Sequence, residues 1–390
     1  MGMKDETRVT HPPAAPLPAD NHPLVPPLYQ SVKFEFDTLE DTLSHLRGER
    51  PGFYYTRSAN PTLRQLELTL AAMQGREDCV LAATGVGVVS QTLLALAKQG
   101  EHILCFVESY GPTRVMIRRV LARYGVRHTL LSILDLEGIE RVLATEPTRL
   151  VIFESPTNPA SRIADLAHLT RTARAHGALT VLDNTLAGPH QHGQFDVDLY
   201  LHSLTKYANG HGDVMGGAAI GSAELVRQLK SEFSLLGGSM DPHAAWLIQR
   251  SLRTYYVRYR AQSQSTQQIA TYLAQHPAVE GVSYPGLPQH PQHALARAQM
   301  SDFGAVLTFE VRGGADAARR VAEGLKLFAM AASLGSTDSL VLPSQLLGSR
   351  DLTAAQQLAT GVAPGSLRLA VGLENPADLL ADLEQALAAL

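Results

Sequence analysis

The chain has 390 residues, of which 45% are apolar and 18% charged, and 33 Lys and Arg against 37 Asp and Glu give a formal net charge of −4. This composition excludes intrinsic disorder, because a chain so apolar and so close to neutral buries enough surface to offset its ordering entropy. It also excludes a typical nucleic-acid-binding protein, since the sequence has neither a basic excess nor a basic stripe.

The N-terminal segment predicts an extended arm and no targeting signal. Residues 1–30 are rich in Pro and polar residues and have no core of their own, and the start MGMKDETRVTHPP lacks the apolar core of a secretory signal. No run in the chain approaches the roughly 18 apolar residues of a membrane span. The two cysteines, Cys79 and Cys105, are too few for a disulfide framework. We therefore predict a soluble cytoplasmic protein without a membrane or nucleic-acid partner.

From about residue 62 the pattern predicts an α/β fold, because short apolar runs alternate with longer helical patterns. Such an alternation is typical of a mostly parallel sheet with helices on both faces. The predicted strands are 79–82, 103–107, 150–153, 179–182, 199–201 and 218–220, and the predicted helices between them are 86–98, 112–124, 135–145 and 165–176.

The C-terminal part predicts a second, smaller domain of α+β type. A long helix is expected near 241–274, and strands at VEGVSYPG, AVLTFEV and SLRLAVGL surround a helix near 314–326. At roughly 100–200 residues per domain, the length also favours two or three units. We divide the chain into an arm at 1–60, an α/β domain at 61–252 and an α+β domain at 253–390.

The residues that follow the predicted strands carry the chemistry, because ligands of open α/β sheets gather at the carboxyl ends of the strands. Asn158, Asp183 and Lys206 each come shortly after a different apolar run. A lysine at the edge of a dry pocket has a lowered pKa and forms a Schiff base with a carbonyl group. These three residues therefore predict a site for a carbonyl cofactor.

Pyridoxal 5′-phosphate (PLP) fits this set of residues. A half-buried Asp183 needs a cationic partner, and the protonated ring nitrogen of PLP supplies one. Asn158 can donate to the phenolate oxygen of the ring, while Ser203 and Thr205 point the same way and suit a phosphate.

A second anion site is predicted where a strand meets a helix at Thr84-Gly85-Val86-Gly87. Free backbone N–H groups and the helix dipole favour a phosphate at such a position. The segment begins like the dinucleotide fingerprint G-x-G-x-x-G, but its sixth position is Ser90, which excludes NAD.

Four motifs resemble the Cys/Met-metabolism family of PLP-dependent enzymes, from about Pro27 to the C-terminus. They are Tyr55-Thr56-Arg57 with Asn60-Pro61-Thr62, then Glu154-Ser155-Pro156-Thr157-Asn158-Pro159, Asp183-Asn184-Thr185, and His202-Ser203-Leu204-Thr205-Lys206-Tyr207 followed by Gly210-His211 and Asp213. The resemblance implies the aspartate-aminotransferase fold (fold type I), with residues 61–252 as the PLP-binding domain. It also implies a homotetramer of two active dimers, in which the arm at 1–60 clamps a neighbouring subunit.

The resemblance also implies roles for individual residues around PLP. Lys206 is similar to the Schiff-base lysine, Asp183 to the partner of the ring nitrogen, and Asn158 to the residue near the phenolate oxygen. The phosphate-binding set that it implies is Gly85, Val86, Ser203 and Thr205, with Tyr55 and Arg57 from the neighbouring subunit.

Three further residues are implied to hold the substrate, a small sulfur amino acid. Tyr110 is similar to the aromatic residue that stacks on the PLP ring, and we count it with Lys206 and Asp183 as catalytic. Ser333 and Arg368 are similar to the clamp on the substrate carboxylate, which a planar guanidinium binds bidentately. Asn158 and Tyr110 also belong to the expected substrate site.

For the reaction, the resemblance favours β-elimination of L-cystathionine to homocysteine, pyruvate and ammonia, as in methionine biosynthesis, with Lys206 removing the α-proton. The segment from Tyr110 to Arg114 resembles bacterial cystathionine β-lyases, and Pro112 replaces the reactive cysteine of methionine γ-lyases. Two alternatives stay open. One is γ-chemistry, as in cystathionine γ-lyase, cystathionine γ-synthase or O-acetylhomoserine sulfhydrylase. The other is a PLP-binding regulatory protein without catalysis.

A metal site is not expected. His190, His192, Asp196 and His211 lie near one another in the sequence, but their spacing fits no strong metal motif.

Overall fold

The structure is a computed structural model that describes residue 18, residues 20–347 and residues 351–390. The predicted arm therefore lies partly outside the described residues, at 1–17 and at 19. Among the described helices, none combines the length and the apolar character needed to cross a membrane.

A seven-stranded sheet forms the first layer, in the order β1-β7-β6-β5-β4-β2-β3. Its strands are β1 (Asp78–Ala82), β2 (His102–Phe106), β3 (Arg127–Leu131), β4 (Thr148–Glu154), β5 (Leu179–Asp183), β6 (Leu199–Ser203) and β7 (Gly217–Gly221). Neighbours from β3 to β6 are parallel, while β7 runs antiparallel to both β1 and β6. The predicted mostly parallel sheet is confirmed.

The strand β3 was missed by the sequence analysis. It lies at the edge of the sheet and pairs only with β2 among the described strands. Its sequence, RHTLL, begins with two polar residues, and each of its residues is partly or fully exposed. An edge strand is not covered on both faces, so it lacks the continuous apolar run that marks the central parallel strands.

Helices cover both faces of this sheet. They are α2 (Pro61–Gln74), α3 (Gly85–Leu96), α4 (Gly111–Val115), α5 (Leu136–Thr145), α6 (Leu166–Ala175) and α7 (Ala223–Leu236), whereas α1 (Leu39–Leu46), which precedes them, buries none of its residues. The helix predicted over 112–124 is regular only in α4 and continues as a π-helical turn at Met116–Val120 and a 3-10 turn at Leu121–Tyr124.

The two sheet faces are built by alternation along each strand. In β6, Leu199 and Leu201 pack on the same side as Leu93 of α3, and Tyr200 packs on the other side with Leu66 of α2. All five side chains are fully buried. Burial of one such side chain stabilises the fold by about 1.5–3 kcal/mol, so both faces contribute to holding the strand ends in place.

The C-terminal part contains a five-stranded sheet in the order β10-β11-β12-β9-β8. Its strands are β8 (Val279–Ser283), β9 (Val306–Val311), β10 (Ala329–Met330), β11 (Leu340–Pro343) and β12 (Ser366–Ala370). The helices of this part are α8 (Pro242–Leu252), α9 (Tyr255–Leu273), α10 (His293–Gln299), α11 (Gly314–Gly324), α12 (Ala354–Ala359) and α13 (Pro376–Leu387), with a 3-10 turn at Ser344–Leu347. Except for the short parallel pair β10–β11, this sheet is antiparallel.

The long helix expected near 241–274 is divided into α8 and α9, which meet at Arg253 and Thr254. The predicted domain boundary after residue 252 falls at this junction, and the boundary after residue 60 falls at the start of α2. The division into three parts stays a prediction.

The described part of the arm lies along α2 and α8. The Tyr29 N–H donates to Thr62 Oγ1 at 2.9 Å, and the Trp246 indole N–H donates to Pro26 O at 3.0 Å. Arg253 donates to Leu24 O at 2.9 Å. These contacts fix the arm to its own chain, and its predicted role as a clamp on a neighbouring subunit stays a prediction.

Candidate active site

The carboxyl ends of β4, β5 and β6 lie side by side, because these three strands are neighbours in the sheet. A cavity of about 300 Å³ opens at this edge. It is lined by most of the residues predicted from the sequence, namely Gly85, Val86, Tyr110, Asn158, Asp183, Ser203, Thr205, Lys206, Ser333 and Arg368. The predicted convergence of Asn158, Asp183 and Lys206 on one edge is therefore observed.

Lys206 lies in a tight turn directly after β6. Its Nζ donates to Ser333 Oγ at 2.8 Å, and its carbonyl accepts the Gly210 N–H at 2.7 Å. Burial, and after it the positive charge of Arg368, lowers the pKa of Lys206. A larger fraction of this amine is consequently uncharged and nucleophilic at neutral pH.

Two carboxyl groups, Asp183 and Glu154, line the cavity next to each other. They are register partners across the β4–β5 pair. Asp183 Oδ1 accepts the Thr185 N–H at 3.1 Å, and burial raises the pKa of Asp183. Glu154 accepts the Tyr110 N–H, and burial followed by the charge of Asp183 raises the pKa of Glu154 well above its usual value. Two such carboxylates disfavour being ionised together, so a cation beside Asp183 is favoured.

Glu154 is a residue of the cavity to which the sequence motifs assign no role. A signal was present, because Glu154 directly follows the buried run Leu150–Phe153, the same position relative to its strand that Asp183 has after Leu182. Only the register of β4 against β5 shows that the two carboxyl groups are neighbours.

The N-terminus of α3 forms an anion-binding corner of the cavity. Thr84 caps this helix by accepting the Gly87 N–H at 2.8 Å. A Cβ atom at Gly85 would meet the Cβ and Oγ atoms of Ser203 at 2.6 Å, so only glycine allows the helix to approach β6 this closely. The helix dipole and backbone N–H groups at such a terminus favour a phosphate.

Arg368 lies on strand β12, and its side chain forms another wall of the cavity. Its Nη2 donates to Ser333 O at 2.6 Å and its Nη1 to Asn158 Oδ1 at 3.4 Å, whereas its buried Nε has no partner among the described residues. Burial lowers the pKa of Arg368 to about 10. Ser333 adopts a φ of 125°, a region that side chains rarely occupy, and strain of this kind is concentrated at functional sites.

These residues fit PLP on observations of the chain itself. Asp183 forms no ion pair with a described Lys, Arg or His, and a protonated ring nitrogen would be its cation. Gly85 at the N-terminus of α3 and Ser203, which suit an anion, line the same cavity as the Lys206 amine. The unpartnered Nε of Arg368 retains a donor for a carboxylate.

Tyr55 and Arg57 do not line the cavity of their own chain. Both side chains are exposed, and the Arg57 guanidinium lies over the Tyr55 ring at 5.6 Å. Their predicted contact with the phosphate of a neighbouring subunit stays a prediction.

The histidines considered as metal ligands have other partners. His190 Nδ1 lies 2.7 Å from Tyr255 Oη, and His192 Nδ1 lies 2.7 Å from Asn184 Oδ1. Burial lowers the pKa of His190 to about 4 and that of His192 to about 3, so both are neutral. Within the described ranges, no group of three or more His, Cys, Asp and Glu is arranged to hold a metal ion.

The chain is similar to known proteins along nearly its whole length. The family model described as Cys/Met metabolism PLP-dependent enzyme matches residues 7–388. The chain is 38% identical over 370 residues to an L-methionine gamma-lyase of Pseudomonas putida, which covers 94% of this chain and 93% of the relative.

Solved structures agree in fold. A cystathionine gamma synthase from Xanthomonas oryzae pv. oryzae in complex with cystathionine has a TM-score of 0.88 at 36% identity, over 94% of this chain and 93% of that one. A putative O-acetylhomoserine (thiol)-lyase from Campylobacter jejuni, which holds N′-pyridoxyl-lysine-5′-monophosphate, has a TM-score of 0.87 at 30% identity, over 93% of this chain and 95% of that one. The predicted fold type I architecture and the PLP cofactor are confirmed.

The predicted β-elimination from cystathionine is wrong, because the relatives are named for γ-chemistry and none of those above is named a β-lyase. The prediction depended on the resemblance of the segment from Tyr110 to Arg114 and on Pro112 within it, and of that segment only Tyr110 is among the residues that line the cavity. Lys206, Asp183 and Arg368 do not discriminate between the two reactions, since β- and γ-elimination need the same base, electron sink and carboxylate clamp. The alternative of a protein without catalysis is not supported either, since each of these relatives carries the name of an enzyme.

Proposed function

The chain belongs to the Cys/Met-metabolism family of PLP-dependent enzymes, and from this premise we propose that it catalyses γ-elimination from an L-amino acid that carries sulfur at Cγ. The products would be a thiol, 2-oxobutyrate and ammonia. The observation that carries the proposal is the match along 94% of the chain to an L-methionine gamma-lyase, on a cavity that holds an amine, a carboxylate and a buried guanidinium.

Arg368 would bind the substrate carboxylate and orient Cα toward Lys206. The guanidinium is already held by Ser333 O at 2.6 Å, so it loses little freedom on binding. PLP, when bound, supplies the sink for the electrons left at Cα. Lys206 Nζ, whose pKa is lowered by burial, would take the proton from Cα and, after releasing it, the proton from Cβ, whose removal must precede loss of the group at Cγ.

Tyr110 would give a proton to the departing thiolate. Burial, and after it the charges of Glu154 and Asp183, raises the pKa of Tyr110, so the phenol stays protonated at neutral pH. Its backbone N–H is held by Glu154, which limits the movement of the ring. A protonated, positioned phenol is a suitable general acid for a leaving group that departs as an anion.

The wall of the cavity beyond these polar groups is apolar and suits a thioether. The apolar side chains in the lining include Met215, Leu334 and Leu347. Burial of an apolar substituent against such a wall contributes about 0.8 kcal/mol for each methylene group.

The active unit would be at least a homodimer, within the homotetramer that the resemblance implies. Tyr55 and Arg57 are exposed and lie outside the cavity of their own chain, although the resemblance assigns them to a PLP phosphate. A guanidinium that reaches the phosphate of a neighbouring subunit would complete two sites across one two-fold axis.

Product analysis tests the proposal. The purified protein, loaded with PLP, is incubated with L-methionine and with L-cystathionine, and the 2-oxo acid is identified. We expect 2-oxobutyrate in amounts equal to the ammonia released, and we expect none from Lys206→Ala. Pyruvate as the main 2-oxo acid would overturn γ-elimination.

Replacement at Cγ is the second candidate, because both structural relatives above are named for a synthase or a thiol-lyase that acts on O-acetylhomoserine. The same protein is given O-acetyl-L-homoserine with sulfide or with cysteine. Homocysteine or cystathionine formed faster than 2-oxobutyrate would favour replacement over elimination.

A further inference from the structure

Arg258 is a buried arginine outside the cavity, and it contacts the turn that carries Lys206. Only 6% of its surface is exposed. It lies in the first turn of α9, and its partners are oxygen atoms of neutral groups. Nη1 donates to Tyr207 O at 3.1 Å, Nη2 to Ser251 O at 3.0 Å and Nε to Thr254 Oγ1 at 3.1 Å.

A guanidinium in this position is costly. Burial lowers the pKa of Arg258, and no described carboxylate forms an ion pair with it. A buried charge without a counterion is tolerated only when hydrogen bonds replace its hydration, so the three acceptors fix the side chain in one geometry. Nη1 therefore holds the carbonyl of the peptide that directly follows Lys206.

The turn itself is shaped to admit this side chain. Gly210, which donates its N–H to Lys206 O at 2.7 Å, has a φ of 72°. A Cβ atom at Gly210 would overlap the guanidinium of Arg258. Glycine is thus required twice, for the left-handed backbone and for the space that Arg258 occupies.

A second residue of α9 contacts the same turn. The Tyr259 ring packs edge-on against the Tyr207 ring with centroids 5.0 Å apart. The Ala305 N–H donates to Tyr207 Oη at 2.9 Å, which ties the tyrosine to the loop before β9. Both the backbone and the side chain of Tyr207 are therefore held from outside the seven-stranded sheet.

We propose that Arg258 is a positioning residue for Lys206: by holding Tyr207 O, it fixes the turn so that Nζ faces the cavity and Ser333. The inference rests on the proposed function, because it takes Lys206 as the reacting amine. It gives α9 a role through the side chain of Arg258, for which Gly210 in the turn leaves the space. A displacement of a reacting group by about 1 Å is enough to lower a rate by about 100-fold.

The test compares Arg258→Gln with the wild-type protein, both loaded with PLP. We expect kcat to fall by about 10- to 100-fold while KM changes by less than about threefold, because the substrate clamp is untouched. We also expect faster hydrogen–deuterium exchange in peptides that cover residues 204–212. The second readout reports on the turn directly and does not depend on turnover.

Arg253→Gln is the matched control. Arg253 lies at the same helix junction, is exposed, and donates to Leu24 O of the arm at 2.9 Å. This side-chain hydrogen bond goes to the arm and not to residues 204–212, so kcat and exchange at 204–212 should stay at wild-type values. Equal losses in both variants would overturn the proposal, as would a folded Arg258→Gln with wild-type kcat and exchange.

Arg258→Lys covers the case in which the glutamine variant does not fold, because it keeps the charge and one donor group. We expect Arg258→Lys to have a kcat below that of the wild type but still measurable. Its hydrogen–deuterium exchange at 204–212 should be faster than in the wild type. Failure of both variants to fold would make Arg258 a residue of general stability and overturn a specific positioning role.

The role of Lys206 is checked separately. Borohydride reduction of the wild-type protein, followed by peptide mapping, identifies the lysine bound to PLP. A label on a lysine other than Lys206 contradicts the proposed function, whereas faster exchange at 204–212 in Arg258→Gln would still be observed if Arg258 braces the turn.

Discussion

Glu154 and Asp183 lie directly opposite each other on adjacent parallel strands, at the ends that form the cavity. Asp183 lacks a cationic partner among the described residues, and Glu154 is buried and holds the Tyr110 N–H. The pair therefore links the group expected to face the PLP ring nitrogen with the residue expected to stack on the ring. It also gives the PLP-free protein a pH-dependent stability.

We expect Glu154→Gln to stabilise the PLP-free protein more at high pH than at low pH. Burial and the charge of Asp183 raise the pKa of Glu154, so the folded state binds its proton more tightly than the unfolded state. The stabilisation contributed by protonated Glu154 is fully present below the pKa of this group in the unfolded state, about 4.3. It is lost as the pH rises through the higher pKa of Glu154 in the folded state. The glutamine amide does not titrate, so the variant does not lose this stabilisation. We expect its free energy of unfolding near pH 8 to exceed that of the wild type by about 1–3 kcal/mol.

Urea unfolding of both PLP-free proteins between about pH 5 and pH 8 measures this difference. Glu323→Gln is the control, because Glu323 is exposed and pairs with Arg319 on the surface of α11 at 3.5 Å. If the difference in the free energy of unfolding stays constant or shrinks with rising pH, ionisation of Glu154 does not destabilise the folded protein.

Gly85→Ala should weaken PLP binding by about tenfold or more, because a Cβ at this position needs the space of Ser203. This Cβ would lie 2.6 Å from Ser203 Cβ and Oγ. The double variant Gly85→Ala/Ser203→Gly removes the obstructing side chain together with the Ser203 hydroxyl assigned to the phosphate, so we expect a PLP affinity above that of Gly85→Ala and below that of the wild type. The measurement is the dissociation constant of PLP from its visible absorbance.

Gly281→Ala is the control for the glycine series, since no heavy atom within 4 Å would meet its Cβ and its φ is not positive. Its PLP affinity should equal that of the wild type. Unchanged PLP affinity in Gly85→Ala would mean that α3 can move away from β6 without loss.

Much of this site could be predicted from the sequence, because parallel strands bring their ends to one edge. Asn158, Asp183 and Lys206 needed only the order of three apolar runs and the geometry of a parallel sheet. The edge strand β3 could not be read in this way, since each of its residues is partly or fully exposed and it has no continuous apolar run.

Contacts between distant segments were also beyond the sequence pattern. Arg258 meets Tyr207 across 51 positions, and nothing in the helical spacing of α9 distinguishes it from a surface arginine. The prediction of β-elimination was wrong for a related reason, because it depended on the short segment from Tyr110 to Arg114, of which only Tyr110 lines the cavity.

Arg368→Lys should raise KM and lower kcat/KM by about 10- to 100-fold, although the positive charge is kept. Nη2 of the guanidinium donates to Ser333 O and Nη1 to Asn158 Oδ1, while Nε has no partner among the described residues. An ammonium group does not reproduce this planar arrangement of donors. Steady-state kinetics with the same substrate check this, and the PLP absorbance should stay unchanged. A lysine variant with wild-type KM would remove Arg368 from the substrate clamp.

Subunit mixing tests whether Arg57 acts on a neighbouring chain. Arg57→Ala and Lys206→Ala are each expected to be nearly inactive, because one lacks a phosphate ligand and the other the reacting amine. If Arg57 reaches across a two-fold interface, a mixed dimer contains one site with both defects and one intact site. Random reassociation of equal amounts should then restore roughly a quarter of wild-type activity. Since the exposed Arg57 does not line the cavity of its own chain, we expect this recovery. Activity that stays at the level of the parent variants after verified subunit exchange would show that Arg57 does not complete the site of a neighbouring chain.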